Sequence, residues 1–278
     1  MGSALFPATE TPPKLAVPGA PALRTLADLL APHTLHHTAA GGAVASFLGL
    51  QLTSVYQAIV SSADGHALGA EAYVRSAGSD GPELSPWNLF AQAGSGEEVV
   101  RLDRLCRALH VANFGASLAR GETLFLNVHP DLPEVVKADF GLSFRRILAL
   151  LGVAPERCVL ELRVANQAPT RLLRDVLRGF RARGFQVALD LGLGPTTDAP
   201  FALDGLGEMP DYLKFTPTAE LDLARRALQR ARAAGVQLIG TRLGDAASLA
   251  LARSLGADYL QGHAIARATI EPAHSLTS

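Results

Sequence analysis

Glu71, Arg75, Asn127, Glu161, Asp190, Lys214 and Gln261 each interrupt a run of residues that otherwise favours a buried strand. A lone acid in such a run is ordinarily a solvated position or a hydrogen-bonded core group. The same interruption in run after run is harder to assign to packing alone. The carboxylates of Glu71, Glu161 and Asp190 together with the Asn127 amide make the oxygen-rich set that Mg²⁺ or Mn²⁺ favours. Lys214 and Arg75 add positive charge suited to phosphate oxygens.

Such residues act together only if the chain brings them to one place. Strand-like runs rich in β-branched and aromatic residues occupy 54–60, 67–75, 123–128, 158–164, 185–191, 211–217, 236–241 and 258–265. Helical periodicity occupies 97–119, 133–151, 169–183, 219–234 and 246–255. Val99, Leu102, Leu105, Cys106 and Leu109 form the clearest apolar stripe. Strands alternating with helices predict parallel pairing, because parallel neighbours need a long crossover. The number of runs suits closure into a modified TIM (β/α)8-like barrel, in which polar residues at the carboxyl ends of strands share one mouth. The first two runs are joined only by a short link with Asp64-Gly65 at its turn, so the expected α/β fold has one antiparallel strand.

Composition narrows the class. The chain has 278 residues, 48% hydrophobic and 18% charged, with a formal net charge of −1. That is ample for a large core and argues against a whole-surface grip on DNA or RNA. Cys106 and Cys158 are the only cysteines, which excludes a disulfide framework and a Cys-rich zinc site. No apolar run approaches a bilayer span and no signal-peptide pattern opens the chain, so a cytoplasmic protein without a membrane partner is expected. Residues 1–45 read as a Pro/Ala-rich arm with a short helix over 22–30, and 46–278 as the barrel domain. His33, His36 and His37 make a weak metal motif, and Arg225, Arg226, Arg230 and Arg232 read as a solvated helix face. Trp87 and Phe90 read as packing anchors.

In order and spacing, these residues resemble the EAL domain family of bacterial cyclic di-GMP signalling over about residues 52–270. The carriers are Tyr56-Gln57-Ala58-Ile59-Val60, Glu71-Ala72-Tyr73-Val74-Arg75, Leu84-Ser85-Pro86 with Phe90, and Leu102-Asp103. Further along come Phe125-Leu126-Asn127-Val128, Leu160-Glu161-Leu162, Lys214 and Asp258-Tyr259-Leu260-Gln261-Gly262. The resemblance implies descent from a phosphodiesterase in which two metal ions activate a water and a carboxylate acts as general base. It implies Gln57, Glu71, Arg75, Asn127, Lys214 and Gln261 as nucleotide-binding candidates. It implies Glu71, Asn127, Glu161 and Asp190 as ligands of one metal.

The sequence departs from the family where the second metal and the base would sit. The paired-aspartate loop reads Asp190-Leu191-Gly192-Leu193-Gly194, and the lysine strand continues Lys214-Phe215-Thr216. The AEGVE motif reads Gly240-Thr241-Arg242-Leu243-Gly244, with Thr241 at the expected base and Asp245 one position away from use. Loss of a base alone costs roughly 10²–10⁴-fold in rate. The expectation is therefore a non-catalytic regulatory domain with no catalytic residue and no required cofactor, Mg²⁺ or Ca²⁺ remaining an option at the vestigial site. It would bind cyclic di-GMP as a sensor, a regulatory protein, or both. The alternatives are a protein-only adaptor that has lost the nucleotide, or a weak metal-dependent phosphodiesterase. A homodimer is compatible with the family.

Overall fold

The computed structural model describes residues 20–38, 42–78, 84–94, 96–130, 132, 141–163, 170–192, 206–217 and 222–270. Ten strands form one sheet, in the order β1 (Thr34–His37), β2 (Ala43–Phe47), β3 (Leu50–Ser61), β10 (Tyr259–Leu260), β9 (Gln237–Gly240), β8 (Tyr212–Phe215), β7 (Gln186–Asp190), β6 (Cys158–Arg163), β5 (Thr123–Asn127) and β4 (Ala67–Ala77). A further pairing of β3 with β4 closes strands β3 to β10 into an eight-stranded barrel. β3 is antiparallel to both β4 and β10, and every other barrel pairing is parallel. The reversed strand expected from the Asp64-Gly65 turn is therefore present.

The strand sequences account for this closure. β6 and β8 are almost wholly buried, as parallel strands sandwiched between a barrel interior and outer helices must be. β3 alternates in burial at its start and becomes buried throughout where it enters the barrel. A separate apolar cluster takes one residue from each of six strands: Ile59, Phe125, Val159, Ala188, Tyr212 and Ile239, with Tyr259 packed against it. One residue per strand can meet in this way only inside the barrel. Gly69, opposite Ile59 and beside Thr123, belongs to this layer. A Cβ there would lie 1.8 Å from the Thr123 carbonyl oxygen, so β4 and β5 can approach only over a glycine.

Helices α1 (Ala20–Leu30), α2 (Pro86–Ala93), α3 (Gly96–Ala119), α4 (Leu142–Leu150), α5 (Thr170–Arg181), α6 (Asp222–Ala233) and α7 (Ala246–Ser254) accompany the sheet. The predicted stripe of α3 is buried, and so are Val100, Asp103, Arg107, His110 and Val111 on its other sides. A helix buried nearly all round needs cover beyond the barrel. β1, β2 and α1 supply it: Asn113 of α3 accepts from Ala43 N at 2.7 Å and donates to Ala43 O at 2.9 Å. Leu26 and Leu30 of α1 join the main core.

The sequence reading anticipated α1 and the barrel strands but not β1, β2 or α2. Residues 133–140 of the expected 133–151 helix lie outside the described residues, and α4 accounts for its second half. Cys106 and Cys158 are buried, and Arg225, Arg226, Arg230 and Arg232 are exposed. Among the described residues no helix is long and apolar enough to cross a membrane.

Candidate functional site

The polar residues singled out from the sequence lie one layer above the apolar plug. Side chains two residues apart on a strand share a face. Stepping two residues from each plug position gives Gln57 from Ile59, Glu71 from Gly69, Asn127 from Phe125, Glu161 from Val159 and Asp190 from Ala188. It gives Lys214 from Tyr212, Thr241 from Ile239 and Gln261 from Tyr259. On β3 the step runs backwards in number because that strand is reversed. All of these residues line one cavity of about 560 Å³ at the barrel mouth. Arg75 stands two more same-face steps beyond Glu71, donates to the Val74 carbonyl at 3.0 Å and does not line the cavity.

Lys214 occupies the centre of this layer. Its ammonium donates to Glu71 Oε2 at 2.5 Å and to Glu161 Oε2 at 2.6 Å. Glu71 Oε2 also accepts from Gln261 Nε2 at 2.8 Å, and Glu71 Oε1 accepts from Asn127 Nδ2 at 2.7 Å. Gln261 Nε2 further approaches Gln57 Oε1 and Tyr73 Oη, each at 3.3 Å. Burial works against a charge on Glu71, but the Lys214 ammonium and these hydrogen bonds hold its carboxyl below the ordinary range. Glu161 shares the same ammonium less favourably: burial, then the Glu71 charge, push its carboxyl up to about 8. Burial opposes the Lys214 charge too, and the Glu161 and Glu71 carboxylates outweigh it, raising the ammonium above its usual value.

A second charged group stands at the rim. Asp190 Oδ1 accepts from Gly192 N at 2.9 Å, while Oδ2 faces Arg163 Nη2 at 3.5 Å and Arg242 Nη2 at 3.8 Å. Arg242 holds a left-handed backbone (φ +56°) and donates Nη1 to Thr216 Oγ1 at 2.9 Å. Its neighbour Thr241 donates to the Phe215 carbonyl at 3.2 Å. Gly262 lets the closing strand pass under this corner: its φ is +156°, and a Cβ would lie 2.3 Å from Leu243 N. Asp245, one position from use in the sequence reading, is exposed, caps α7 through Ser248 N at 2.8 Å and does not line the cavity.

A two-cation centre does not fit these residues. Both oxygens of Glu71 and one of Glu161 are taken up by Lys214 and neutral amides. Asp190 faces guanidinium groups, and Thr241 and Thr216 bring no carboxylate. Among the described residues no group of His, Cys, Asp and Glu is arranged to hold a metal ion. That includes the histidine motif: His33 bonds to Glu98 at 3.2 Å and His36 to Thr34 at 2.8 Å.

The opposite wall holds groups that the sequence reading missed or misread. Asp103 and Arg107 form a buried ion pair one turn apart on α3, and Asp103 Oδ1 accepts from His129 N at 3.2 Å. Phe90 stacks on His129 with centroids 4.8 Å apart. Trp87 does not pack as an anchor; the residue is 79% exposed and lines the cavity. The signal for Tyr73 was its same-face spacing from Glu71; for Trp87 it was the Ser85-Pro86 helix start, which fixes the direction of the following turn.

A protein-family model described as the EAL domain matches residues 45–196. No curated protein gives a significant sequence match. Among solved structures, the YKUI protein of Bacillus subtilis, with an EAL domain and in complex with substrate c-di-GMP and calcium, superposes with a TM-score of 0.68 at 21% identity, covering 81% of this chain. The match spans only 58% of that longer chain. A standalone EAL protein from Vibrio cholerae in its c-di-GMP-bound form gives 0.65 at 17% identity, covering 82% of this chain and 97% of that one. The EAL domain of Mycobacterium smegmatis DcpA gives 0.58 at 23% identity, covering 78% and 93%.

Proposed function

The chain belongs to the EAL domain family, and from that premise we propose that it is a non-catalytic regulatory domain that binds cyclic di-GMP at the barrel mouth without cleaving it. The observation that carries this reading is the rim, where Thr241 stands at the expected base and Asp190 is paired with Arg163 and Arg242. Hydrolysis of a phosphodiester needs a water held in line and a group within hydrogen-bond reach to take its proton. Glu71 and Glu161 are committed to Lys214, Asp190 faces two arginines, and the Thr241 hydroxyl does not accept a proton near neutral pH.

The groups that remain suit binding. Arg163 and Arg242 pair with Asp190 at 3.5 and 3.8 Å, and the remaining N–H groups of their guanidinium forks are of the kind that binds phosphate oxygens. In place of metal cations, these two side chains neutralise the phosphodiester charge. Gln261 Oε1 is buried without a partner among the described residues. The signal would pass to a regulatory protein that reads the occupied mouth.

Calorimetry with cyclic di-GMP in EDTA tests this reading. Micromolar or tighter binding is expected, unchanged by Mg²⁺ or Ca²⁺ and weakened at least tenfold in Arg242→Ala, with no linear dinucleotide formed. Metal-dependent turnover abolished in Glu71→Ala would overturn the reading in favour of an enzyme. Absence of binding up to about 100 μM would overturn it in favour of a protein-only adaptor.

A further inference from the structure

We infer that Trp87 is a base-stacking platform at the rim of the mouth, where its indole receives one purine of the bound nucleotide. This rests on the reading that the mouth binds a cyclic dinucleotide, and it adds the surface that recognises the base. Trp87 is the only tryptophan in the chain, is 79% exposed and lines the cavity. A bare indole in water forgoes the burial that normally makes this side chain an anchor. Among the described residues its ring has no stacking or cationic partner.

The helix that carries it explains its direction. Ser85 caps α2 by accepting from Asn88 N at 3.2 Å, and Pro86 stands at the first helical position. Leu89 and Ala93, four residues apart, are buried and fix the inward face. Trp87 is two residues from Leu89, about 200° around the helix, so it must point outward. Phe90 is three residues on and shares its side of the helix. Phe90 is already stacked on His129, with ring planes 23° apart, whereas Trp87 is free to take a ligand ring. An aromatic face beside a cavity whose far side carries Arg163, Arg242 and Lys214 matches a ligand with a flat base and a phosphate backbone.

The single tryptophan makes the test direct. Cyclic di-GMP titrated into the full chain in EDTA should quench indole fluorescence with the same midpoint as calorimetry, and inorganic phosphate should not. Trp87→Ala should weaken calorimetric binding about ten- to a hundredfold, while Trp87→Phe retains most of it. Both variants should unfold at the wild-type temperature, because the ring makes no core contact. Calorimetric binding without quenching, or with unchanged affinity in Trp87→Ala, overturns the inference and leaves the proposed function standing. No calorimetric binding by the wild type overturns both.

Discussion

At the residue scale, His110 is a buried titratable group outside the ties across the mouth. Its Nδ1 lies 2.8 Å from Ser54 Oγ in a fully buried position, and burial pushes the imidazole down to about 3. The unfolded chain titrates near 6.5, so between those values it binds a proton that the folded chain refuses. The stability from neutral His110 is therefore full above about pH 6.5 and declines as pH falls toward 3. The slope from this one group approaches about 1.4 kcal/mol per pH unit. Urea midpoints of wild type and His110→Gln, compared from about pH 7 down to about 5, should converge as the medium becomes more acidic. Parallel lines would mean that another group carries the acid sensitivity. None of this is legible in the sequence, where His110 is one more polar residue in a helix. The mouth residues were legible because each breaks an apolar strand at a two-residue step from a core position.

At the element scale, α3 is the member whose burial demands explanation, and the β1–β2 extension provides it. Asn113 clamps both backbone groups of Ala43, giving β2 a fixed start against the helix. Asn113→Ala removes both bonds and leaves a partly buried N–H and C=O to find water. A loss of about 1–3 kcal/mol is expected. Hydrogen exchange should rise first over residues 34–47 while β5 to β8 stay protected. Uniform exchange across the barrel would show that the extension is not a separate unit. β3, β4 and α3 were readable because their patterns persist over many residues, and the short parallel strands because each is a nearly unbroken buried run. β1 and β2 were not, because four or five residues with exposed His36 and His37 carry too little alternation to distinguish them from a loop. α2 escaped for a similar reason, although Ser85 and Pro86 are an ordinary start signal.

At the scale of the whole molecule, the mouth is a cross-tie. Lys214 on β8 reaches Glu71 on β4 and Glu161 on β6, while Gln261 next to β10 binds Glu71 and approaches Gln57 on β3. Strands distant in sequence are thus joined over the apolar plug by one ammonium and its acceptors. Removing a partner from a buried ion pair leaves an uncompensated charge, which costs about 3–5 kcal/mol, whereas removing the charges together costs far less. Lys214→Met should therefore lower stability by about that amount, and adding Glu71→Gln and Glu161→Gln should recover most of it. The cycle also probes cation binding at the mouth. Without the ammonium, Glu71 and Glu161 each regain an oxygen beside Asn127 and Asp190, a set of the hard type that Ca²⁺ and Mg²⁺ select. Millimolar Ca²⁺ should raise the unfolding temperature of Lys214→Met and leave the wild type and the triple variant unmoved. Equal stabilisation of the wild type would mean that a cation displaces Lys214 unaided, which would count against the proposal that the mouth binds without cleaving.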